Sequence, residues 1–414
     1  MTNQKAAIGS PRLKSWENVT SPKENLTEKE KRKINVLKLL SINSRLSLSD
    51  ISEQLKLPKP SLYNLLNELI EEYGMVFVPE INIPNIWKYE LIRLSKSHSK
   101  KEMLHEAVEK MSSIGFEEYF IMFKFLKKKP GDGEIMKAVA GSYIPQFIAK
   151  LNGEYDLMIY AVAQNYSKAA SFAISFCDAL SKYDATTMLY KISKSDGYFP
   201  MTDELIKQFN ISTTYQKLLI ELNKNGRSKF GDLSYNSRIP QQQLTYAFER
   251  LVRSGIISRI TYYESKPKNS FHYVISLRTV NISEYIKTRD NWQIDIINDC
   301  ASKHAEYTFV CDVTSPFGAY VIASFANKAD FSAFYSKLKK RVGGMKISYM
   351  EMRSILFGNL GIRDFDMRYS INYQYLERKK KVPRFTPKSK IMYDIGGDEE
   401  AVGAAVPNEG DTLI

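Results

Sequence analysis

Two stretches, KPSLYNLLNEL from Lys59 and QQQLTYAFERL from Gln241, set polar side chains opposite an apolar face. In the first the polar set is Lys59, Ser61, Tyr63, Asn64 and Asn67. In the second it is Gln241, Gln242, Gln243, Thr245, Tyr246 and Arg250. Asn and Gln can pair bidentately with adenine and Arg with guanine, while Ser, Thr and Tyr usually hold phosphate. Backbone N–H groups at a helix N-terminus attract phosphate as well. Every amphipathic helix also has a solvated polar face, so residue types alone leave both readings open. Arg45, Lys56, Arg227, Lys229, Arg238, Arg253 and Arg259 are candidate phosphate contacts around these stretches. Leu62, Leu65, Leu66 and Leu69 repeat at helical spacing and are core.

A second candidate site is the turn NGEYD at residues 152–156. Gly153 permits a tight turn and close approach of backbone to a ligand, and Asp156 could accept from an amino group. A plain Asn-Gly hairpin has the same sequence. The four histidines, His98, His105, His272 and His304, have no metal-ligand spacing, and no nucleophile motif or Gly-rich phosphate loop occurs. The sequence therefore predicts no metal, no cofactor and no enzyme. Cys177, Cys300 and Cys311 are too few and too scattered for a disulfide framework or a zinc cluster, which suits a reducing, cytoplasmic setting. No apolar run is long enough for a membrane span.

Helices must carry these residues. Thr27 and Glu30 form a capping-box pattern ahead of Ile34, Leu37 and Leu40. Ser47 and Asp50 offer a second cap before Leu48, Ile51 and Leu55, and Pro58 and Pro60 suit a third helix start. Strand-like text follows, MVFVPEINI and WKYELIRLS. Three helices and a ribbon make a winged helix-turn-helix, whose third helix can enter a major groove. Residues 116–195 then read β-α-β-β-α-β, the ferredoxin-like order.

The pattern recurs. At a shift of 182 residues Arg45 meets Arg227, Asp50 meets Asp232, Ser52 meets Ser234 and Pro58 meets Pro240, and the leucine face meets Leu244, Ala247, Phe248 and Leu251. An internal repeat decides architecture. The expected organisation is a disordered arm at 1–26, a winged helix-turn-helix at 27–98, a linker helix at 99–115 and a ferredoxin-like domain at 116–195. A second helix-turn-helix at 200–266, a second ferredoxin-like domain at 267–360 and a basic then acidic tail at 361–414 follow. The class is α+β. A net charge of +13 favours polyanions.

This layout resembles the Lrp/AsnC family of transcription regulators. NSRLSLSDISEQLKLPKPSLYNLLNEL is similar to the family's helix-turn-helix, and AKLNGEYDLMIYAV to the strand–turn–strand of its RAM-type sensor domain. The segment NGRSKFGDLSYNSRIPQQQLTYAFERLVRSGII resembles the DNA-binding part again, whereas CDVTSPFGAYVIASF lacks the sensor's Gly–x–x–Asp turn. The resemblance implies a sequence-specific regulator of double-stranded DNA that is nucleoid-associated and assembles as a homodimer or higher oligomer through its sensor domains. It also implies a small effector, such as an amino acid, against Gly153, Glu154 and Asp156. One unit per chain is the family's rule, so the tandem form departs from it, and the two units could pair within a chain or between chains. Two rival readings share the residues: an architectural chromatin protein with weak sequence preference, and a siroheme-decarboxylase-like enzyme of the same architecture.

Overall fold

The computed structural model describes residues 27–86, 115–196, 200–264, 271–279 and 307–358, apart from positions 84, 197–199, 315–316, 326 and 343–344, together with 281, 283 and 285. The expected arm, linker helix, second wing strand at 87–95 and tail lie outside these residues, as does most of the helix expected at 282–303.

Helices α1 (Glu28–Ile42), α2 (Leu48–Leu55) and α3 (Lys59–Tyr73) open the described chain and lead into strand β1 (Met75–Ile81). Ser47 caps α2 in a full capping box with Asp50. Val36, Leu37, Leu40, Ile51, Leu62, Leu66 and Leu69 form one buried cluster. Further on, a one-turn α6 (Asp203–Ile206) precedes α7 (Thr213–Lys224), α8 (Phe230–Ser237), α9 (Gln241–Arg253) and strand β6 (Ile257–Glu264).

The turns between α2 and α3 and between α8 and α9 are built alike. Lys56 and Arg238 both adopt left-handed backbone, at φ 53° and 57°. Ser52 Oγ donates to the Leu57 carbonyl and Ser234 Oγ to that of Ile239. That bond accounts for the serines matched in the sequence.

The wing strands differ from expectation. β1 pairs antiparallel with β6, from Met75 opposite Glu264 to Glu80 opposite Arg259, so the two helix sets share one ribbon. α1 packs on β6 and α7 on β1, each reaching across to the other set's strand. Ser44 N–H donates to the Ile260 carbonyl and Gly226 N–H to that of Phe77, both at 2.7 Å.

The remaining strands are β2 (Glu117–Phe125), β3 (Pro145–Asn152), β4 (Leu157–Ala163), β5 (Ala185–Asp196), β7 (Phe271–Arg278), β8 (Tyr307–Thr314), β9 (Phe317–Phe325) and β10 (Lys346–Phe357). Helices α4 (Asp132–Val139), α5 (Tyr166–Ala179) and α10 (Lys328–Arg341) lie between them in the chain. Two separate sensor sheets were expected. Instead all eight strands close into one barrel, in the order β10-β3-β4-β2-β5-β8-β9-β7. Closure comes from β3 pairing with β10 and β5 with β8. Alternation sorts the side chains. Tyr119, Ile121 and Phe123 pack under α4 and α5, and Ile275, Val321 and Ala323 under α10. Phe120, Tyr160, Tyr190 and Tyr320 therefore point into the lumen, where their rings meet edge-on.

Candidate nucleic-acid interface

α3 and α9 begin without a side-chain cap, after Pro58 and Pro240. Their first-turn N–H groups are thus left for solvent or for an anion. Lys59, Pro60, Ser61, Tyr63 and Asn64 are exposed on α3, and Asn67 is half-buried. On α9 Gln241, Gln242, Gln243, Tyr246 and Arg250 are exposed. Thr245 Oγ1 donates to the Gln241 carbonyl at 3.0 Å, so its proton is occupied within the helix. Arg250 Nε donates to Tyr246 Oη at 2.8 Å and lies 5.1 Å from that ring's centroid, which fixes both side chains on the exposed face. Tyr235 on α8, at 86% exposure, was not singled out from the sequence. A polar-looking helix of mixed composition gave no signal for it. Lys56 and Arg238 occupy matching exposed turn positions, and Lys229 is exposed at the start of α8.

Other candidates have different tasks. Arg45 donates to the carbonyls of Gly226 (2.7 Å) and Ser228 (3.1 Å), with Phe230 and Phe248 about its guanidinium. Arg227 returns the contact, donating to the carbonyls of Ser44 and Leu46 and lying over Phe77. Burial lowers both guanidinium pKa values, that of Arg45 to about 10, with Arg227 adding repulsion. These two arginines clamp the helix sets together and are withdrawn as phosphate contacts. Arg259 likewise pairs with Glu80 across the ribbon, and Arg253 with Glu249 at 3.7 Å along α9.

The expected effector turn is also engaged. The Asp156 side chain is buried, accepts from Phe125 N–H at 2.9 Å and pairs with Lys129 at 2.6 Å. Burial pushes its carboxyl up, but the Lys129 and Phe125 bonds outweigh that and hold it below the usual range. Glu154 binds Arg278 of β7 at 2.8 Å. At Gly153, φ is 151° and an added Cβ would lie 2.9 Å from Met350 of β10. The turn thus joins the two halves of the barrel, and Asp156 is spent on the end of β2 and the segment that follows it. The sequence left open whether the two units pair within a chain or between chains, and the β3–β10 and β5–β8 ladders join their strands within one chain.

Among the described residues no group of three His, Cys, Asp or Glu could hold a metal ion. No described helix is long and apolar enough to cross a membrane.

Residues 31–74 match the IclR helix-turn-helix domain. No curated protein matches the sequence. Among solved structures, siroheme decarboxylase NirDL superposes with a TM-score of 0.50 at 9% identity, covering 85% of this chain and 99% of its own. Regulators of the AsnC family superpose on about one third of the chain. One from Agrobacterium tumefaciens has 13% identity, covers 37% of this chain and 96% of its own, and gives a TM-score of 0.31. One from Pyrococcus furiosus has 15% identity, covers 35% and 91%, and gives 0.28. The chain is thus an α+β protein with an N-terminal helix-turn-helix, and its fold is shared over most of its length with an enzyme. The expectation that it is not an enzyme is overturned by that match.

Proposed function

We propose that the protein is a DNA-binding transcription regulator of Lrp/AsnC type, in which one chain supplies two unlike recognition helices. The observation that carries this reading is the pair α3 and α9, each with an uncapped N-terminus and an exposed polar face. The matched turns at Lys56 and Arg238 and the reciprocal arginines support a repeat of two winged helix-turn-helix units. Strand orders β5-β2-β4-β3 and β10-β7-β9-β8 support two ferredoxin-like units fused edge to edge.

In this reading Lys59, Ser61, Tyr63, Asn64 and Asn67 face one half-site, and Gln241, Gln242, Gln243, Tyr246 and Arg250 the other. Lys56 and Arg238 add phosphate contacts, while the Thr245 hydroxyl is spent on the Gln241 carbonyl. The two faces differ, so the half-sites differ. Replacing Gln242 and Gln243 by Ala tests this: the affinity ratio of a footprinted site over random duplex falls about tenfold or more, at about 1–3 kcal/mol per lost base contact. An unchanged ratio sinks the reading of α9. A chromatin-like binder would show a steep salt dependence with no preferred site.

The length of the match to siroheme decarboxylase favours a second reading, tetrapyrrole chemistry on the barrel. Titration with siroheme decides it. A shifted absorption band followed by carboxyl loss supports an enzyme, and an unperturbed spectrum removes it.

A further inference from the structure

The two ends of the barrel carry different groups. Neighbouring strands all run antiparallel, so β2, β3, β7 and β8 begin at one end and finish at the other. The second helix set meets the end where they begin. There Thr202 N–H donates to Gln146 Oε1 at the start of β3, at 2.7 Å, and Phe116, just before β2, lies edge-on to Phe209. At the far end β2 and β7 finish, α10 finishes, and β10 begins with Lys346 opposite Arg278.

The far end holds an excess of cations. Carboxylates there are met within the barrel: Asp156 by Lys129, Glu154 by Arg278 and Glu134 by Lys182. Lys128, Lys337, Lys339, Lys340 and Lys346 are left over, all exposed and without an ion pair among the described residues. Lys337 and Lys340 are neighbours at i,i+3 on α10, away from its buried Phe331, Phe334 and Leu338. A helix macrodipole favours cations in the last turn, but the fold does not demand them here. α5 holds the matching place in the other half of the barrel, capped by Asn165 as α10 is by Asn327, and its last turn has no basic residue. Residues 328–353 include seven Lys or Arg against two Asp or Glu, whereas the matching 166–191 include three against two. The charge is thus a property of this one surface and not of the architecture.

We infer that the far end of the barrel is a second nucleic-acid surface, which holds the phosphate backbone of a duplex without reading its sequence. Lysines on flexible stems bind phosphate as point charges. The cluster has no Asn or Gln to read base edges. The helix sets join the barrel at its opposite end, so one chain can hold two duplex segments at once. This rests on the reading of the chain as a DNA-binding protein. Four such contacts give log K a slope of about −3 to −4 against log salt.

The test loads the full chain onto an immobilised duplex bearing a footprinted site and measures capture of a second, labelled duplex of random sequence. Lys337→Gln, Lys339→Gln, Lys340→Gln and Lys346→Gln are combined in one variant, and the same four positions are changed to Arg in another. All four side chains are exposed, so both variants should melt as the unsubstituted chain does. The expected result is that the Gln variant keeps its affinity for the footprinted site within about threefold and loses second-duplex capture by at least about tenfold. The Arg variant retains capture. Equal capture by the Gln variant overturns the inference and assigns bridging to recognition helices of associated chains. A chain that binds the immobilised duplex but captures no second one also overturns it, as does binding to phosphatidylglycerol vesicles in place of the second duplex. Failure to bind any duplex removes the regulator reading together with this one.

Discussion

Replacing Arg45 by Met separates a clamp from a phosphate contact. Two hydrogen bonds from a charged donor to the Gly226 and Ser228 carbonyls contribute about 3–6 kcal/mol together. Cation–π contact with Phe230 and Phe248 adds about 1–2 kcal/mol. Burial of the charge beside Arg227 opposes this. A guanidinium pKa drawn down from 12.5 to about 10 corresponds to about 3 kcal/mol at 1.36 kcal/mol per unit. The net loss in Arg45→Met is therefore about 1–5 kcal/mol, centred near 3. It is read from the urea midpoint of the helical circular-dichroism signal. Affinity for random duplex is measured alongside as a function of salt, at a urea-free temperature where the variant stays folded. A clamp lowers the midpoint and leaves the slope of log K against log salt unchanged. A midpoint shift under about 0.5 kcal/mol with a slope shallower by about one would refute the reasoning and restore Arg45 as a phosphate contact.

Two further outcomes follow from single residues. His272 is bonded to Ser324, and burial lowers its pKa to about 4 from 6.5. Its folded pKa is depressed, so stability is full above pH 6.5 and declines as pH falls toward 4, by up to about 3 kcal/mol. Urea midpoints at pH 7.5, 6 and 5 should fall in that order, and His272→Gln should flatten the trend across this range, where carboxylates are still ionised. At Gly226 an added Cβ would lie 2.6 Å from Ile260 Cγ2 and 3.2 Å from the Phe77 carbonyl carbon. Gly226→Ala should cost about 1–3 kcal/mol by overpacking, and a midpoint equal to that of the unsubstituted chain would contradict the docking of this turn on β1.

Local features were legible and distant pairings were not. Periodicity placed the second and third helices of each set, because an apolar face every three to four residues is written in the chain itself. The capping box at Ser47 and the leucine cores read off in the same way. The partner of β1 could not be read off, because strand pairing depends on contacts remote in sequence. The nearest strand-like text, WKYELIRLS, lies outside the described residues, and the partner that is seen, β6, comes about 180 residues later in the chain. Arg45 and Arg227 were recognised as equivalent yet assigned to phosphate. Their carbonyl acceptors belong to the opposite helix set, which one segment of sequence cannot display. Asp156 shows the same limit: the Asn-Gly turn was visible, whereas Lys129 and the Phe125 N–H that occupy its carboxylate were not.

Barrel closure has a consequence for biosynthesis. The chain emerges N-terminal half first, and β1, β3 and β5 are made long before β6, β10 and β8. Until then three strands present unpaired N–H and C=O rows, the feature that invites pairing with other chains. Asn152 must wait for Glu351, and Ile192 for Val313. Such long-range closure slows folding. A nascent or truncated first half would have to satisfy its edges with a second copy of itself, so premature termination near residue 200 should yield dimers or aggregates rather than a free half.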